Sequence, residues 1–168
     1  IEPTTVGTEI FALMKDPNSK LMPYLHLPLQ SASDEILRQM RRRYEFTEYR
    51  DFVLQAVEEV PDICVGSDVI VGFPGESDEL FQVTHQALEE LPVHYFHVFP
   101  FAERKGTTAE KIKPKIRGDV ASRRVSVLRN LSDAKKEQFY RRFLGRDLRV
   151  LFESREKSGG WSGYSDNY

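Results

Sequence analysis

The sequence has 168 residues, 40% hydrophobic and 30% charged, enough for one substantial core and at most an appendage. A formal net charge of −2 excludes a globally basic nucleic-acid-binding protein, so any such surface must be local. The single cysteine, Cys64, excludes an internal disulfide framework, and no apolar run approaches the roughly 20 residues that cross a bilayer.

No signal peptide is visible and the chain opens on Ile1 rather than Met, so a cytoplasmic piece of a longer protein is expected. Short apolar runs alternate with amphipathic stretches, which predicts βα units and a parallel sheet. The first run, Leu25-His26-Leu27-Pro28-Leu29, reads as a strand ending in Gln30-Ser31-Ala32-Ser33, with Pro28 near an irregular terminus. Ser33 is placed to cap a helix over about 34–43. Asp34 and Glu35 occupy its first turn, Ile36, Leu37 and Met40 recur at helical spacing, and Arg41-Arg42-Arg43 suit the negative end of its dipole. A second helix starts near Thr47, with Tyr49, Val53, Ala56, Val57 and Val60 on one stripe, and Pro61 closes it.

A strand over 63–71 is apolar on both sides, as a covered parallel strand should be, and stops at Gly72-Phe73-Pro74-Gly75-Glu76. Ser77 caps the next helix, whose Leu80, Thr84, Ala87, Leu88 and Leu91 form one stripe before Pro92. A third strand follows at about 94–101, then a Lys-rich loop over 102–117. The stretch 118–144 lacks internal Gly and Pro and predicts one long helix. A strand-like run over 146–153 and a turn at Ser158-Gly159-Gly160 open a further unit.

In parallel α/β architecture ligands sit beyond the carboxyl ends of the strands, which selects 30–33, 72–76 and 99–104. Gln30, Ser31 and Ser33 are suited either to hydrogen-bond a ribose or carboxylate or to form turn and cap. Gly72 and Gly75 let a backbone approach a flat ligand or simply make a tight turn. Asp68, a solitary acid in an apolar strand, is either an inward-facing polar barrel residue or part of a site. His26, His85, His94 and His97 have no metal-ligand spacing, each reads as structural or exposed, and no metal site is assigned. Cys64 reads as a small buried hydrophobe, and no catalytic side chain is nominated. Between Arg117 and Arg149 stand ten basic against four acidic residues, a solvated face or a phosphate-contacting one.

Three segments, Leu25-His26-Leu27-Pro28-Leu29-Gln30-Ser31-Ala32-Ser33-Asp34, Asp68-Val69-Ile70-Val71-Gly72-Phe73-Pro74-Gly75-Glu76 and Gly106-Thr107-Thr108-Ala109, resemble in order and spacing the radical-SAM methylthiotransferases. The resemblance covers nearly the whole chain. It implies an α/β fold: a partial (β/α) TIM-like barrel of parallel strands, a long helix and the first strands of a small β-barrel. The division would be the C-terminal half of the barrel over 1–117, with Ile1-Glu2-Pro3 ending a strand, a connecting helix over 118–145, and the start of an RNA-binding TRAM domain over 146–168. Arg42-Arg43-Tyr44, Thr47-Glu48-Tyr49, His97-Val98-Phe99-Pro100-Phe101 and Gly163-Tyr164-Ser165-Asp166-Asn167-Tyr168 look most like the branch that methylthiolates N6-threonylcarbamoyladenosine in tRNA.

By the same resemblance Gln30, Ser31 and Ser33 lie near the ribose or amino-acid end of S-adenosylmethionine. Ile70 and Gly72 lie beside its adenine, and Phe99 and Pro100 against the same base. The basic excess over 117–149, set between barrel and RNA-binding unit, assigns Arg141, Arg142 and Arg146 to tRNA phosphates. The full-length enzyme would carry S-adenosylmethionine and two [4Fe–4S] clusters and act on tRNA, with no membrane involved. Ala32 stands where the family has Gly, and the family's Cys-x3-Cys-x2-Cys motif is missing. A cluster needs several thiolates, so this chain alone is expected to bind no cofactor tightly and to be inactive. Two other readings remain: the sister branch that modifies a ribosomal protein, and a non-catalytic RNA-binding half-barrel. The oligomeric state is not fixed by the sequence.

Overall fold

The structure, a computed structural model, describes residues 2–168. Three strands, β1 (Tyr24–His26), β2 (Cys64–Val71) and β3 (Tyr95–Pro100), pair in parallel in the order β1-β2-β3. Helices α1 (Glu9–Lys15), α2 (Asp34–Gln39), α3 (Phe46–Glu59), α4 (Asp78–Glu90) and α5 (Gly118–Arg141) surround the sheet, and β4 (Val150–Arg155) and β5 (Trp161–Ser165) form an antiparallel hairpin. Ile1, expected to end a strand, lies outside the described residues; Pro3–Thr5 is a single 3-10 turn.

The period of two along a strand separates the sheet into unlike faces. Leu25, Val65, Val69, Val71, Phe96 and Val98 point one way and are buried in one cluster with Leu37, Val53, Leu88 and Leu128 from the helices. Their neighbours point the other way: His26 and Tyr95 share a row with Gly66, Asp68 pairs with His97, and Ile70 with Phe99. That inner face is the concave side of a partial barrel. Helix α1, not anticipated from the sequence, adds buried Phe11 and Met14 to the core.

Strand β1 and helix α2 are shorter than expected, each for a backbone reason. Strand β1 stops at His26 rather than Leu29 because Pro28 has no N–H to donate to a ladder. Hydroxyls recover the carbonyls so released. Tyr49 donates to Leu27 O at 3.0 Å, Tyr44 to Pro28 O at 2.8 Å, and Ser67 Oγ to Leu27 O at 2.8 Å. Pairing resumes where the Gln30 N–H meets Asp68 O at 2.8 Å and the Ile70 N–H meets Gln30 O at 2.9 Å. Helix α2 ends at Gln39 instead of running to 43. Arg41 adopts φ +61°, its N–H bonds Arg38 O at 3.0 Å and the Arg42 N–H bonds Leu37 O at 2.9 Å, the paired bonds of a Schellman terminus. The three arginines therefore leave the helix.

The long helix over 118–144 is realised as Gly118–Arg141, and the strand expected from 146 begins at Val150. Helix α5 lies along the β3 edge and satisfies backbone groups that an edge strand would otherwise leave open. Ser132 Oγ accepts from the Phe96 N–H and donates to Phe96 O, both at 2.8 Å, and Lys135 Nζ reaches Leu91 O at 2.9 Å. At the start of β3, buried His94 accepts from the Val65 N–H through Nδ1 at 2.9 Å and packs on Phe139 of α5.

Burial, with the Arg142 and Lys135 charges nearby, holds the His94 imidazole down at about 4, so the native state keeps it neutral where the unfolded chain takes up a proton. Its contribution is therefore present above the unfolded value of about 6.5 and is lost as pH falls toward 4. Stability measured by denaturant unfolding should drop by about 2 kcal/mol from this group between pH 6.5 and 4.5. His94→Asn, whose side-chain oxygen can still accept from Val65, should flatten that slope.

Candidate functional site

The site grows from the carboxyl ends of β1 and β2. Ser33 caps α2 by accepting from the Ile36 N–H at 3.4 Å, and Ser31 Oγ accepts from the Ser33 N–H at 3.1 Å and meets Thr84 Oγ1 at 3.2 Å. Both hydroxyls thus serve turn and cap in this structure. Gln30 is held at φ +65°, an uncommon conformation for a residue with a Cβ, and such strain gathers at ligand-binding turns.

The loop after β2 is braced from inside. Glu76, 1% exposed, accepts the Gly72 N–H at 2.6 Å and Arg124 Nη1 at 2.6 Å, while Arg124 Nη2 bonds Asp78 at 2.7 Å. Burial pushes the Glu76 carboxyl above the usual carboxylate range, opposed by the Gly72 N–H and the Arg124 guanidinium. The Arg124 hydrogen bond pulls the exposed Asp78 down. Gly72 has φ +76°, and a Cβ there would come 2.9 Å from Ala121 Cβ of α5. Conformation and helix packing both demand glycine at this turn.

Beyond the strand ends lies a cavity of about 600 Å³ with an apolar wall of Ile70, Phe73 and Phe101 and a basic rim of Arg41, Arg42 and Arg43. Arg42 is steadied by Glu2 Oε1 at 2.8 Å. Gln39 Oε1, in the same wall, is buried without a protein partner among the described residues, an acceptor suited to a polar ligand. A neighbouring cavity of about 330 Å³ shares Ile70 and Phe101 and adds Phe99, Pro100 and Arg104.

Of the residues nominated from sequence, Ile70, Phe99 and Pro100 gather around these cavities, while Gln30, Ser31, Ser33 and Gly72 shape the turns behind them. The arginine rim was missed because a basic run after a helical stripe reads as the helix's own C-terminus. The left-handed turn at Arg41 is what redirects it.

A profile of the radical SAM superfamily matches residues 1–88. The chain belongs to the radical SAM superfamily. The chain is 43% identical to the threonylcarbamoyladenosine tRNA methylthiotransferase MtaB of Aquifex aeolicus over 79% of its length and 32% of that protein. It is 33% identical to the Bacillus subtilis protein of the same name, over its full length and 38% of the relative. It is 36% identical to a tRNA-2-methylthio-N(6)-dimethylallyladenosine synthase of Fervidobacterium nodosum, over 94% of the chain and 36% of that protein. Among solved structures, the radical SAM enzyme coproporphyrinogen III oxidase of Escherichia coli matches 83% of the chain and 31% of its own, with a TM-score of 0.61 and 18% identity, a likeness of fold. The chain spans about a third of the length of the curated relatives it matches.

The radical SAM residues present here fit one of the family's two groups. The cavity joins apolar walls to guanidinium donors, as a ligand with a flat base and an amino-acid carboxylate requires. An iron–sulfur cluster does not fit: the sole thiol, Cys64, is 2% exposed, and burial drives it up to about 12, far from the thiolate a metal needs.

The brace makes a measurable demand on stability. Arg124→Met would strand the Glu76 carboxylate and should cost about 3–5 kcal/mol in urea unfolding. Adding Glu76→Gln should recover part of that loss, since the two residues act as one unit.

Proposed function

We propose that this chain is part of a methylthiotransferase that adds a methylthio group to C2 of N6-threonylcarbamoyladenosine in tRNA, next to the anticodon, in the cytoplasm. The observation that carries the reading is the apolar cavity with its arginine rim at the strand ends, in a chain 43% identical over 79% of its length to a protein of that name. In the full-length enzyme S-adenosylmethionine and two [4Fe–4S] clusters would supply the radical chemistry, with the thiolates coming from outside this chain. Gln30, Ser31 and Ser33 would serve the ribose and amino-acid end of S-adenosylmethionine, and Ile70, Gly72, Phe99 and Pro100 its adenine. Arg41, Arg42 and Arg43 add a place for a carboxylate. The similarity to dimethylallyladenosine synthases at 36% favours a second reading with the same reaction class on a differently N6-substituted adenosine.

The division into barrel over 1–117, connecting helix over 118–145 and RNA-binding unit over 146–168 belongs to the same reading. It is supported by the end of the α/β sheet before α5 and by the separate hairpin. Arg141, Arg142 and Arg146 would contact tRNA phosphates, though not equally. Arg141 is exposed and pairs with Glu137 one turn away, whereas Arg142 and Arg146 both reach Asp62, at 3.3 and 2.5 Å.

In the full-length protein Gln30→Gly should keep or raise the melting temperature, because glycine tolerates the positive φ. Loss of the amide should weaken S-adenosylhomocysteine binding by about tenfold, the worth of one hydrogen bond to a charged group, as titration calorimetry would read. Unchanged affinity would remove Gln30 from the site. Arg141→Gln should reduce the salt dependence of tRNA binding by about 0.7–0.9 in log–log slope with no change in melting. Arg146→Gln should lower the melting temperature as well, because Asp62 loses its nearest cation.

A further inference from the structure

Below the Ile70–Phe99 rim the inner face of the sheet carries a second, differently composed layer. Two residues down each strand, about 7 Å deeper, stand Asp68 and His97, with His26 beside them. His26 Nε2 lies 3.1 Å from Asp68 Oδ2, and both side chains are about a quarter exposed, 30% and 25%. The His26 and His97 rings are 6.0 Å apart, Tyr95 meets His97 edge-on at 5.5 Å, and His97 lies 6.4 Å from Phe99. Underneath, the Tyr24 and Tyr95 hydroxyls meet at 2.6 Å and Tyr168 stacks on both rings, which closes the layer from below. Gly66 makes room for this floor, since a Cβ there would strike the Tyr95 ring.

We propose that His26, Asp68 and His97 form a recognition layer for an unstacked purine base of RNA, inserted between the Ile70–Phe99 rim and the tyrosine floor. The inference rests on the tRNA reading and deepens it by naming what holds the base. Three observations favour this ligand class. Rim and floor are aromatic, and the half-exposed ring of Phe99 presents a planar surface against which a base can stack. The polar groups are complementary to a base edge: His26 engages one carboxylate oxygen of Asp68, no described residue takes the other, and it can accept from a ring or exocyclic N–H. Finally, no Lys or Arg lies on β1, β2 or β3, whereas Arg41, Arg42, Arg43 and Arg104 line the mouth above. A polar layer on strands without Lys or Arg, beneath a cationic mouth, sorts the two halves of a nucleotide, phosphate outside and base within.

The test uses the full-length protein and two short RNA hairpins, identical except that one loop adenosine is abasic in the second. The parent should prefer the adenosine hairpin by about tenfold or more. Asp68→Asn and His97→Leu should each reduce that preference to about threefold or less, with affinity for the abasic hairpin and for S-adenosylhomocysteine held within about twofold. Should either variant fold poorly, diethylpyrocarbonate labelling of the parent gives the answer without mutation. The adenosine hairpin should shield His97 and His26 from carbethoxylation and the abasic one should not, with His85 on α4 reacting equally in both. Equal binding of the two hairpins by the parent would overturn the inference, as would an intact preference in both variants. So would histidines left unshielded. Failure of the parent to bind S-adenosylhomocysteine would instead strike the cofactor reading, leaving base discrimination to be judged on its own ratio.

Discussion

Glu76 is 1% exposed, and the βα unit to which it belongs holds no cation that could neutralise it there. Arg124 comes from α5, 48 positions along the chain, and is itself only 3% exposed. Neither group is tolerable in the interior alone, so the loop after β2 and the long helix are obliged to fold against each other. The consequences spread outward from that contact. The Gly72 N–H is fixed by the same carboxylate, Ala121 closes on the glycine, and Ser132, about three turns further on, seals the β3 edge. The turn beside Ile70 is thus held in place by a helix that leads into the C-terminal hairpin, and loop and hairpin share one structural support.

The sheet owes its two characters to the constant register in which Tyr24–His26, Cys64–Val71 and Tyr95–Pro100 pair in parallel. One face carries branched and aromatic side chains into the helices and excludes water. The opposite face holds tyrosines, then histidines with an aspartate, then an isoleucine with a phenylalanine, a sequence of layers from closed floor to open rim. Strand β1 contributes to this arrangement through its irregular end. Pro28 cannot pair, and hydroxyls of Tyr44, Tyr49 and Ser67 collect the carbonyls so that Gln30 rejoins the sheet beside Val69.

The C-terminal hairpin attaches through a small set of contacts around Asp62. Arg142 and Arg146 bind its carboxylate, Asn167 donates to its carbonyl at 3.1 Å, and Tyr168 stacks against Tyr24 and Tyr95. Arg142 and Arg146 also lie over Phe143, so their alkyl stems and charges are both engaged. A basic run that reads as one surface in sequence is therefore divided in the structure. Arg124 is buried, Lys135 holds backbone carbonyls of the barrel, Arg142 and Arg146 anchor the hairpin, and Arg141 lies at the surface.

Local chemistry was enough to place the βα units, the caps at Ser33 and Ser77, the ends at Pro61 and Pro92, and the motifs that mark the radical SAM family. Hydrophobic period, capping oxygens and proline act within a few residues, so they are written contiguously. What only the tertiary structure decided lies at long separation: that Arg124 belongs to Glu76, that Arg41, Arg42 and Arg43 turn away from their helix toward a cavity, and that His26, Asp68 and His97 stand together. Each histidine alone reads as structural, because no spacing along the chain relates residues on three different strands. Only the parallel register, set by burial of the opposite face, brings them into adjoining rows.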